Sequence, residues 1–383
     1  MWPAVAGPVR LRRMTPLEEL ALLLRPAGAG LHLVSSGRAE QEALTRHLYG
    51  AAGEEEVWAR FGERLARLPA ARVVLLGVPS DVGAGYLRGA NLGPQAIRAR
   101  LLDDDPAWPD RAERAGVLDL GDVLAVPQLL HDEMLSEAQL AASRRAIYPE
   151  LPPAEAARLP VSPLSLAERA LDLALAANPR AAPMVLGGDH SCAWPAVRAL
   201  ARARAGLGIV QVDAHTDLLE ERLGVRYCFG TWAFHANDLI GRGGRLVQVG
   251  IRASRRDRAH WEGTLGVRQF WASEIHADPA RALDAILAHV KASGASSVYF
   301  SNDVDGTDQA FADATGTPEP GGLAPGFVVE LVRRLGHEVG LAGGDLTEVA
   351  PPAARTPGGG ERTLAVAARY VRETLAAILG GPV

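Results

Sequence analysis

Short apolar runs alternate with longer segments of helical periodicity from about residue 72 to the end of the chain. Each run ends in polar residues, and the segments between the runs are rich in Ala, Leu and Arg. This alternation predicts parallel strands joined by crossover helices, which is the pattern of an α/β domain. The predicted strands are RVVLLGVPS, GVLDLGDV, APMVLGGDH, LGIVQVDAH, GRLVQVGIR, SSVYFSNDVD and GLAGGDLTEV.

The first 70 residues follow a different pattern. The stretches TPLEELALLLRPAG and AEQEALTRHLYGAAGEEEVWARFGERLARL have the spacing of amphipathic helices, with a Gly- and Ser-containing turn between them. We therefore predict a helical N-terminal extension over residues 1–70 and an α/β domain over residues 71–383. The opening residues MWPAVAGPVRLRRM lack the apolar segment and cleavage site of a secretory signal, so we expect no export.

Histidine and aspartate residues cluster where three of the predicted strands end, in the motifs GGDHS, DAHTD and SNDVD. Alone, GGDHS is typical of a tight turn and SNDVD of a loop or helix cap. Strand ends of a parallel sheet share one edge, however, and residues i and i+2 point to the same face, so the three motifs should converge. Such carboxylates and imidazoles suit Mn, Fe, Co or Ni. The candidate ligands are His190, Asp213, His215, Asp217, Asp303 and Asp305.

Composition narrows the possible partners. The 383 residues are 48% hydrophobic and 22% charged, as in ordinary globular proteins. The net charge of −5 gives no basic surface of the kind that nucleic acids or anionic membranes need, so we expect neither as a partner. Two cysteines cannot form a disulfide framework, which favours the cytoplasm, and no charge-free window is long enough to cross a membrane.

The ordered motifs resemble those of the ureohydrolases, the family of arginase, agmatinase, guanidinobutyrase, proclavaminate amidinohydrolase and formiminoglutamase. The resemblance runs from about residue 72 to about residue 376. It rests on RGANLGPQAIR, GGDHS, DAHTD, SNDVDGTDQAF, TGTPEPGGL and GGDLTEVAPP. It implies a three-layer arginase-like fold with a mostly parallel sheet, and a homo-oligomer that is commonly a trimer or a hexamer.

The resemblance also implies two manganese ions, with Ni or Co left open, and a hydroxide between them as the nucleophile. Glu348 in DLTEVAPP would pair with the cationic guanidinium of the substrate and would be catalytic in orienting it. Two aspartates would bridge the ions and a histidine with an aspartate would complete each shell: Asp213 and Asp303 as bridges, His190 with Asp217, and His215 with Asp305.

The chain departs from the family pattern directly after DAHTD, in LLEERLGVRYCFGTWAFHAND. Leu219 stands where arginase has an Asn that holds the amino-acid end of its substrate, so arginine is disfavoured. Phe229 stands where agmatinase-like relatives have a proton-shuttling His. Proton transfer to the leaving amine would then fall to metal-bound solvent, to Asp217 or to His235, and His235 is equally compatible with a structural role.

Aromatic residues near this departure are candidates for the substrate pocket. We predict that Phe229, Thr231 and Trp232 contact the substrate, while Phe229 and Trp232 are equally compatible with core packing. Cys228 is predicted to be a small buried residue rather than a reactive thiol.

These observations predict a two-metal hydrolase that cleaves a C–N bond of a small guanidino or formimino compound, giving urea or formamide and an amine. One alternative is a catalytically silent relative that keeps its metals and acts as a binding or regulatory subunit, with Phe229 blocking turnover. The other is an amide deacetylase of related fold. That alternative is weaker, because such sites bind one zinc through fewer carboxylates.

Overall fold

The computed structural model describes residues 14–383. Two predictions concern residues 1–13, namely the absence of a secretory signal and the start of the helical extension. Both lie outside the described residues. The strands are β1 (Leu24–Arg25), β2 (Val73–Val78), β3 (Val117–Val123), β4 (Ala182–Gly187), β5 (Leu207–Val212), β6 (Leu246–Ile251), β7 (Arg268–Trp271), β8 (Ser297–Asn302) and β9 (Leu341–Leu346). The helices are α1 (Pro16–Leu23), α2 (Arg38–Tyr49), α3 (Glu54–Leu65), α4 (Gly93–Asp104), α5 (Trp108–Ala115), α6 (Glu137–Ile147), α7 (Pro153–Ala156), α8 (Pro163–Ala177), α9 (Ala193–Ala203), α10 (Trp232–Ile240), α11 (Arg258–Leu265), α12 (Ala272–Ala277), α13 (Pro279–Ala292), α14 (Pro325–Glu338) and α15 (Gly359–Leu379).

The nine strands form one sheet in the order β1-β3-β2-β4-β9-β8-β5-β6-β7. The edge strand β1 runs antiparallel to β3, and the other neighbouring strands are parallel. This confirms the predicted α/β class with a mostly parallel sheet. All seven predicted strands are present. The two additional strands, β1 and β7, are two and four residues long and carry too little periodicity to be recognised.

Helices cover both faces of the sheet and make three layers. Along β2, Val74 and Leu76 belong to one buried cluster, whereas Val73 and Leu75 belong to another on the opposite face. Helices α8, α9 and α10 contribute to the first cluster, and α13, α14 and α15 to the second. Strands buried on both faces read as continuous apolar runs, which explains why the sequence pattern found them.

The N-terminal region packs against the same sheet. Residues 14–70 contain α1, α2, α3 and β1, and Leu20 and Phe61 are buried in the cluster that also includes side chains of β2. The Asp122 carboxylate of β3 accepts the backbone N–H of Gly28 at 2.9 Å. The helices of the extension and the α/β domain thus share one core, and the domain boundary at residue 70 stays a prediction. Within residues 14–383, no helix is long and apolar enough to cross a bilayer.

Four strands that are neighbours in the sheet carry the motifs at their carboxyl ends. In the order β4, β9, β8 and β5, they lead into GGDHS, TEV, DVD and DAHTD. The backbone continues the sheet pairing past the strand ends, because the N–H of Asp303 donates to the carbonyl of Val212 at 2.9 Å. The topology therefore brings the three ligand motifs and Glu348 to one edge of the sheet.

Candidate metal centre

His190 lies at the middle of a group of carboxylates. It begins a short 3₁₀ turn after β4 and is fully buried. Its Nδ1 lies 3.1 Å from Asp213 Oδ2, 3.1 Å from Asp217 Oδ2 and 3.2 Å from Asp303 Oδ2. None of these contacts has hydrogen-bond geometry, so Nδ1 is a buried nitrogen without a hydrogen-bond partner. Buried polar atoms in this state are rare and require an explanation.

A second group adjoins the first and shares Asp213 with it. The Nδ1 of His215 lies 3.1 Å from Asp305 Oδ2 and 3.6 Å from Asp213 Oδ1. Asp305 Oδ2 also accepts the hydroxyl of Thr317 at 3.1 Å. The two groups therefore form one continuous centre, in which all six of the residues singled out from the sequence lie together.

The side chain of His190 is oriented by two residues behind it. Its Nε2 lies 2.9 Å from Ser301 Oγ, and Ser301 Oγ lies 3.0 Å from both oxygens of Asp345. An ionised carboxylate only accepts hydrogen bonds, so Ser301 donates to Asp345 and accepts from the Nε2–H of His190. We therefore assign a ring proton to Nε2, so that Nδ1 is the ring nitrogen that faces the carboxylates and could bind a cation.

Sequence reasoning missed both of these supporting residues. Ser301 precedes Asp303 by two positions, so the alternation along β8 could have placed both on the same side of the strand. Asp345 was visible only as one charge in the otherwise uncharged run GLAGGDL. Its partner could not be read from the sequence, because β8 and β9 are more than 40 residues apart in the chain.

The centre carries an excess of negative charge. Burial and the charge of Asp213 raise the pKa of Asp217 to about 7, and burial together with Asp305 and Asp213 raises the pKa of Asp303 well above its usual range. Burial alone would lower the pKa of His190, but the surrounding carboxylates outweigh burial and raise it well above its ordinary value. Four crowded carboxylates beside two imidazoles are a site that divalent cations would stabilise.

The residues present fit two divalent ions. The donor set consists of carboxylate oxygens and imidazole nitrogens, which suits borderline ions, and the two groups share one carboxylate that could contact both. The unpartnered Nδ1 of His190 is accounted for if its lone pair binds a cation. The supporting contacts of Ser301 and Asp345 are also typical of the residues that orient metal-binding histidines.

Glu348 is held beside this centre in a strained conformation. It is buried, and its φ of +61° is unusual for a residue with a side chain. Its N–H donates to the carbonyl of Gly188 at 2.7 Å, and its Oε1 accepts the N–H of His190 at 2.9 Å. Burial and the charge of Asp189 raise the pKa of Glu348 well above its usual range. The backbone is thus fixed so that this carboxylate reaches the centre.

Trp232 lies behind the centre. Its side chain is fully buried, and its Nε1–H donates to Asp217 Oδ2 at 3.0 Å. Its ring centroid lies 4.6 Å from that of His190. Asp217 itself has a φ of +52°. Trp232 therefore fixes a candidate ligand from the protein side and does not line an open pocket.

Thr231, His235 and Cys228 shape the loop that follows the centre. The Thr231 hydroxyl accepts the N–H of Cys228 at 2.9 Å and donates to the carbonyl of Arg226 at 2.7 Å. The Nε2 of His235 lies 3.1 Å from the same carbonyl, and burial lowers the pKa of this histidine. Cys228 is a buried free thiol whose pKa burial raises. The hydroxyl of Thr231 and the Nε2 of His235 are therefore both engaged in contacts with the backbone of this loop.

Phe229 forms part of a cavity wall. Its N–H donates to the carbonyl of Gly83 at 3.2 Å, and its ring lies against Gly85 so closely that a Cβ there would be 2.6 Å from Cζ. The guanidinium carbon of Arg222 also lies over this ring, 4.9 Å from its centroid. Phe229 is therefore fixed between the loop after β2 and its own loop.

Comparison with known proteins gives the family. Residues 71–377 match the family model described as the arginase family. The chain belongs to the arginase family. The resemblance seen in the sequence motifs is thereby confirmed, and the chain is a hydrolase of the ureohydrolase type.

Individual relatives cover most of the chain. A guanidinobutyrase of Pseudomonas aeruginosa is 31% identical over 75% of this chain and 81% of its own. An N(1)-aminopropylagmatine ureohydrolase of Thermus thermophilus is 34% identical over 76% of this chain and 87% of its own. Among solved structures, proclavaminate amidinohydrolase of Streptomyces clavuligerus is 30% identical with a TM-score of 0.62, covering 81% of this chain and 94% of that one. The three-layer arginase-like fold is confirmed.

Proposed function

We propose that the chain hydrolyses a C–N bond of a small guanidino or formimino compound at a two-metal centre. The ligands would be His190, Asp213, His215, Asp217, Asp303 and Asp305. The observation that carries the proposal is the unpartnered Nδ1 of His190, which faces three carboxylate oxygens within 3.2 Å. Two divalent cations bound there would supply a hydroxide nucleophile near neutral pH.

Glu348 would bind the planar cation of the substrate. Its Oε1 already accepts the N–H of His190 at 2.9 Å, which fixes the carboxylate and leaves Oε2 to accept from a guanidinium or amidinium N–H. This contact would hold the central carbon of the substrate over the centre. Much of the entropy loss of orienting the substrate would then occur on binding and not in the reaction step.

Asp217 is our candidate for proton transfer to the leaving amine. It belongs to the centre, and Trp232 holds its Oδ2 in place at 3.0 Å. His235 remains the second candidate, but its Nε2 is engaged by the carbonyl of Arg226 and would have to leave that contact first. Phe229 cannot take this part, because its side chain carries no proton donor.

Further expectations extend this proposal. We propose manganese as the metal, with Ni or Co as alternatives, because the donor set suits all three. A homo-oligomer, trimer or hexamer, is proposed by analogy with the family. A cytoplasmic location is supported by the two free cysteines, Cys192 and Cys228.

The test is a substrate panel on Mn-loaded and Ni-loaded protein, with urea, formamide and ammonia as measured products. The panel spans guanidino acids, guanidino amines, neutral alkylguanidines and formimino acids. We expect one of these classes to be hydrolysed with two metal ions bound per chain. If two ions are bound and no compound releases a product, the silent-subunit alternative replaces this proposal.

Glu348→Gln is the matched variant for the panel. It keeps the size of the side chain and removes its charge, so the variant should retain both metal ions while hydrolysis falls by about 100-fold or more. An active Glu348→Gln protein would contradict the assigned contact with the substrate cation.

A further inference from the structure

A cavity of about 450 Å³ opens between the loops that follow β2, β3 and β5. Its walls are mainly apolar, with contributions from Val82, Leu130, Leu135 and Phe229. One wall of the cavity lies near the centre, because the N–H of Gly83 in that wall donates to Oδ2 of Asp189, the residue before His190, at 3.0 Å. The part of a substrate that extends away from its amidine group would occupy this space.

Arg222 is the single formally charged side chain among the residues that line the cavity. Within residues 14–383 it makes no ion pair, and its guanidinium contacts the ring of Phe229 instead. Arg226, four residues further along the same loop, is paired with Glu133 at 3.6 Å. The arginine that lines the cavity is therefore unpaired, whereas the other arginine at this end of the loop has an ion-pair partner.

The backbone holds Arg222 at this place by a tight turn. The N–H groups of Arg222 and Val225 each donate to the carbonyl of the other at 2.9 Å. Leu223 and Gly224 between them have φ values of +52° and +81°, as in a type I′ turn. The turn carries Arg222 to the cavity wall, where the Phe229 ring orients its guanidinium by a cation–π contact.

We propose that the substrate carries a carboxylate at the end opposite its amidine group and that Arg222 binds this carboxylate. The inference rests on the proposed function and specifies its substrate class as guanidino or formimino acids. The apolar walls would contact the methylene chain between the two charged ends. A guanidino amine would bring a second cation to a cavity that has no carboxylate among its lining residues and already holds Arg222.

The two relatives named above do not decide this point. Guanidinobutyrase is named for an acid, whereas N(1)-aminopropylagmatine ureohydrolase is named for an amine, and both are similarly related to this chain. The charge of the cavity is the feature of this chain that separates the two classes.

The experiment compares 4-guanidinobutyrate, agmatine and butylguanidine, which share a short alkyl chain and end in a carboxylate, an ammonium and a methyl group. Urea release gives kcat and KM on Mn-loaded protein, and calorimetry gives binding whether or not turnover occurs. A formimino acid of the same chain length is a fourth arm. The variants are Arg222→Gln and Arg222→Glu, with Arg226→Gln as the matched control.

We expect an acid, guanidino or formimino, to be the preferred compound. Arg222→Gln should raise KM for that acid by about 10- to 100-fold, the value of a charge-assisted hydrogen bond, with kcat little changed. Butylguanidine should be unaffected, Arg222→Glu should shift the preference towards agmatine, and Arg226→Gln should behave as the parent protein.

Equal use of acid and amine, or an equal loss for butylguanidine in Arg222→Gln, would overturn the inference while leaving the proposed function intact. If no compound is hydrolysed but an acid binds with an affinity that depends on Arg222, the proposed function fails and the carboxylate site stands. If no acid binds preferentially, the carboxylate site is wrong.

Discussion

The centre and the loop after it are adjacent in sequence but are held in different ways. In the centre, Asp213 accepts the Nε2–H of Gln211 at 2.7 Å and the N–H of His215 at 2.6 Å. In the loop of residues 218–231, Leu223 is 99% exposed and Arg222 has no ion pair within the described chain. In the function proposed above, the sheet would fix the groups for the reaction, whereas a surface loop would determine which substrate is recognised.

A row of hydrogen-bonded glutamine side chains extends from the centre to the edge of the sheet. Gln211, Gln248 and Gln269 occupy matching positions on β5, β6 and β7. The Nε2 of Gln248 donates to Gln211 Oε1 at 2.7 Å, and the Nε2 of Gln269 donates to Gln248 Oε1 at 2.8 Å. This amide ladder connects the edge strand to the Asp213 carboxylate. No comparable chain of buried side chains supports the turn at Arg222 in the part of the protein that the structure describes.

The largest effect in this comparison is expected from Asp303→Ala. The position is assigned to bridge both ions, so the variant should lose metal and hydrolysis together, the latter by at least about 100-fold. Metal content per chain, measured by elemental analysis, checks this expectation. Asp103→Ala, at an exposed position whose side chain makes no hydrogen bond or ion pair in the described residues, is the control. Unchanged metal stoichiometry in the Asp303 variant would refute the assignment.

Ser301→Ala tests how much the hydrogen bonds that orient His190 contribute to metal affinity. The variant removes the acceptor for His190 Nε2–H and leaves Asp345 without the hydroxyl. Metal affinity should fall by about 10- to 100-fold, as for other residues that orient metal-binding histidines. Metal titration monitored by calorimetry measures the change.

Ser297→Ala is the control for this experiment, because Ser297 lies at the opposite end of the same strand and makes no side-chain hydrogen bond in the structure. Equal metal affinities of the Ser301 variant and the parent protein would mean that packing alone positions His190.

Gln248→Leu interrupts the amide ladder in the middle. The amide groups of Gln211 and Gln269 would each lose a buried partner, which should lower the free energy of unfolding by about 1–3 kcal/mol. Denaturant unfolding of the metal-free protein measures this loss, and exposed Gln309→Leu serves as the control. A stability equal to that of the parent protein would show that the ladder does not constrain the sheet beneath the centre.

The sequence predicted which residues would meet at the centre better than it predicted the contacts around them. The alternation of polar residues at strand ends indicated that DAHTD and the other two motifs would meet, because parallel strands end at one edge. The contacts of Ser301 with Asp345 and of Trp232 with Asp217 join segments distant in the chain. Such pairs depend on strand order and side-chain direction, and strand order was not predictable from the runs themselves.

The loop was harder to predict for a different physical reason. Its hydrophobic pattern gives no period, so Phe229, Thr231 and Trp232 all appeared as candidates for the substrate pocket. The structure places Phe229 on a cavity wall, the Thr231 hydroxyl within the loop and Trp232 behind Asp217. Arg222 did not appear as a candidate, because a single arginine in a polar loop has no signal until its lack of a partner is visible.

Leu223→Asn tests the backbone strain of positive φ, which occurs both in the centre and in the loop. We expect this variant to have the smallest effect of those proposed. Glu348 and Asp217 have positive φ values at the centre, where their side chains are used, but the Leu223 side chain is almost fully exposed. Asparagine tolerates this conformation better than leucine, so the variant should gain about 1 kcal/mol in unfolding free energy. Val34→Asn, at an exposed position without positive φ, should gain nothing.

Kinetics on the acid substrate proposed above complete this experiment. If the only role of Leu223 is to occupy the turn that positions Arg222, the Asn variant should keep the turn and retain the KM of the parent protein. A stability gain with a raised KM would instead assign the exposed leucine a contact with the substrate. A loss of stability would contradict the strain argument, because it would mean that the leucine side chain stabilises the loop by more than its backbone conformation costs.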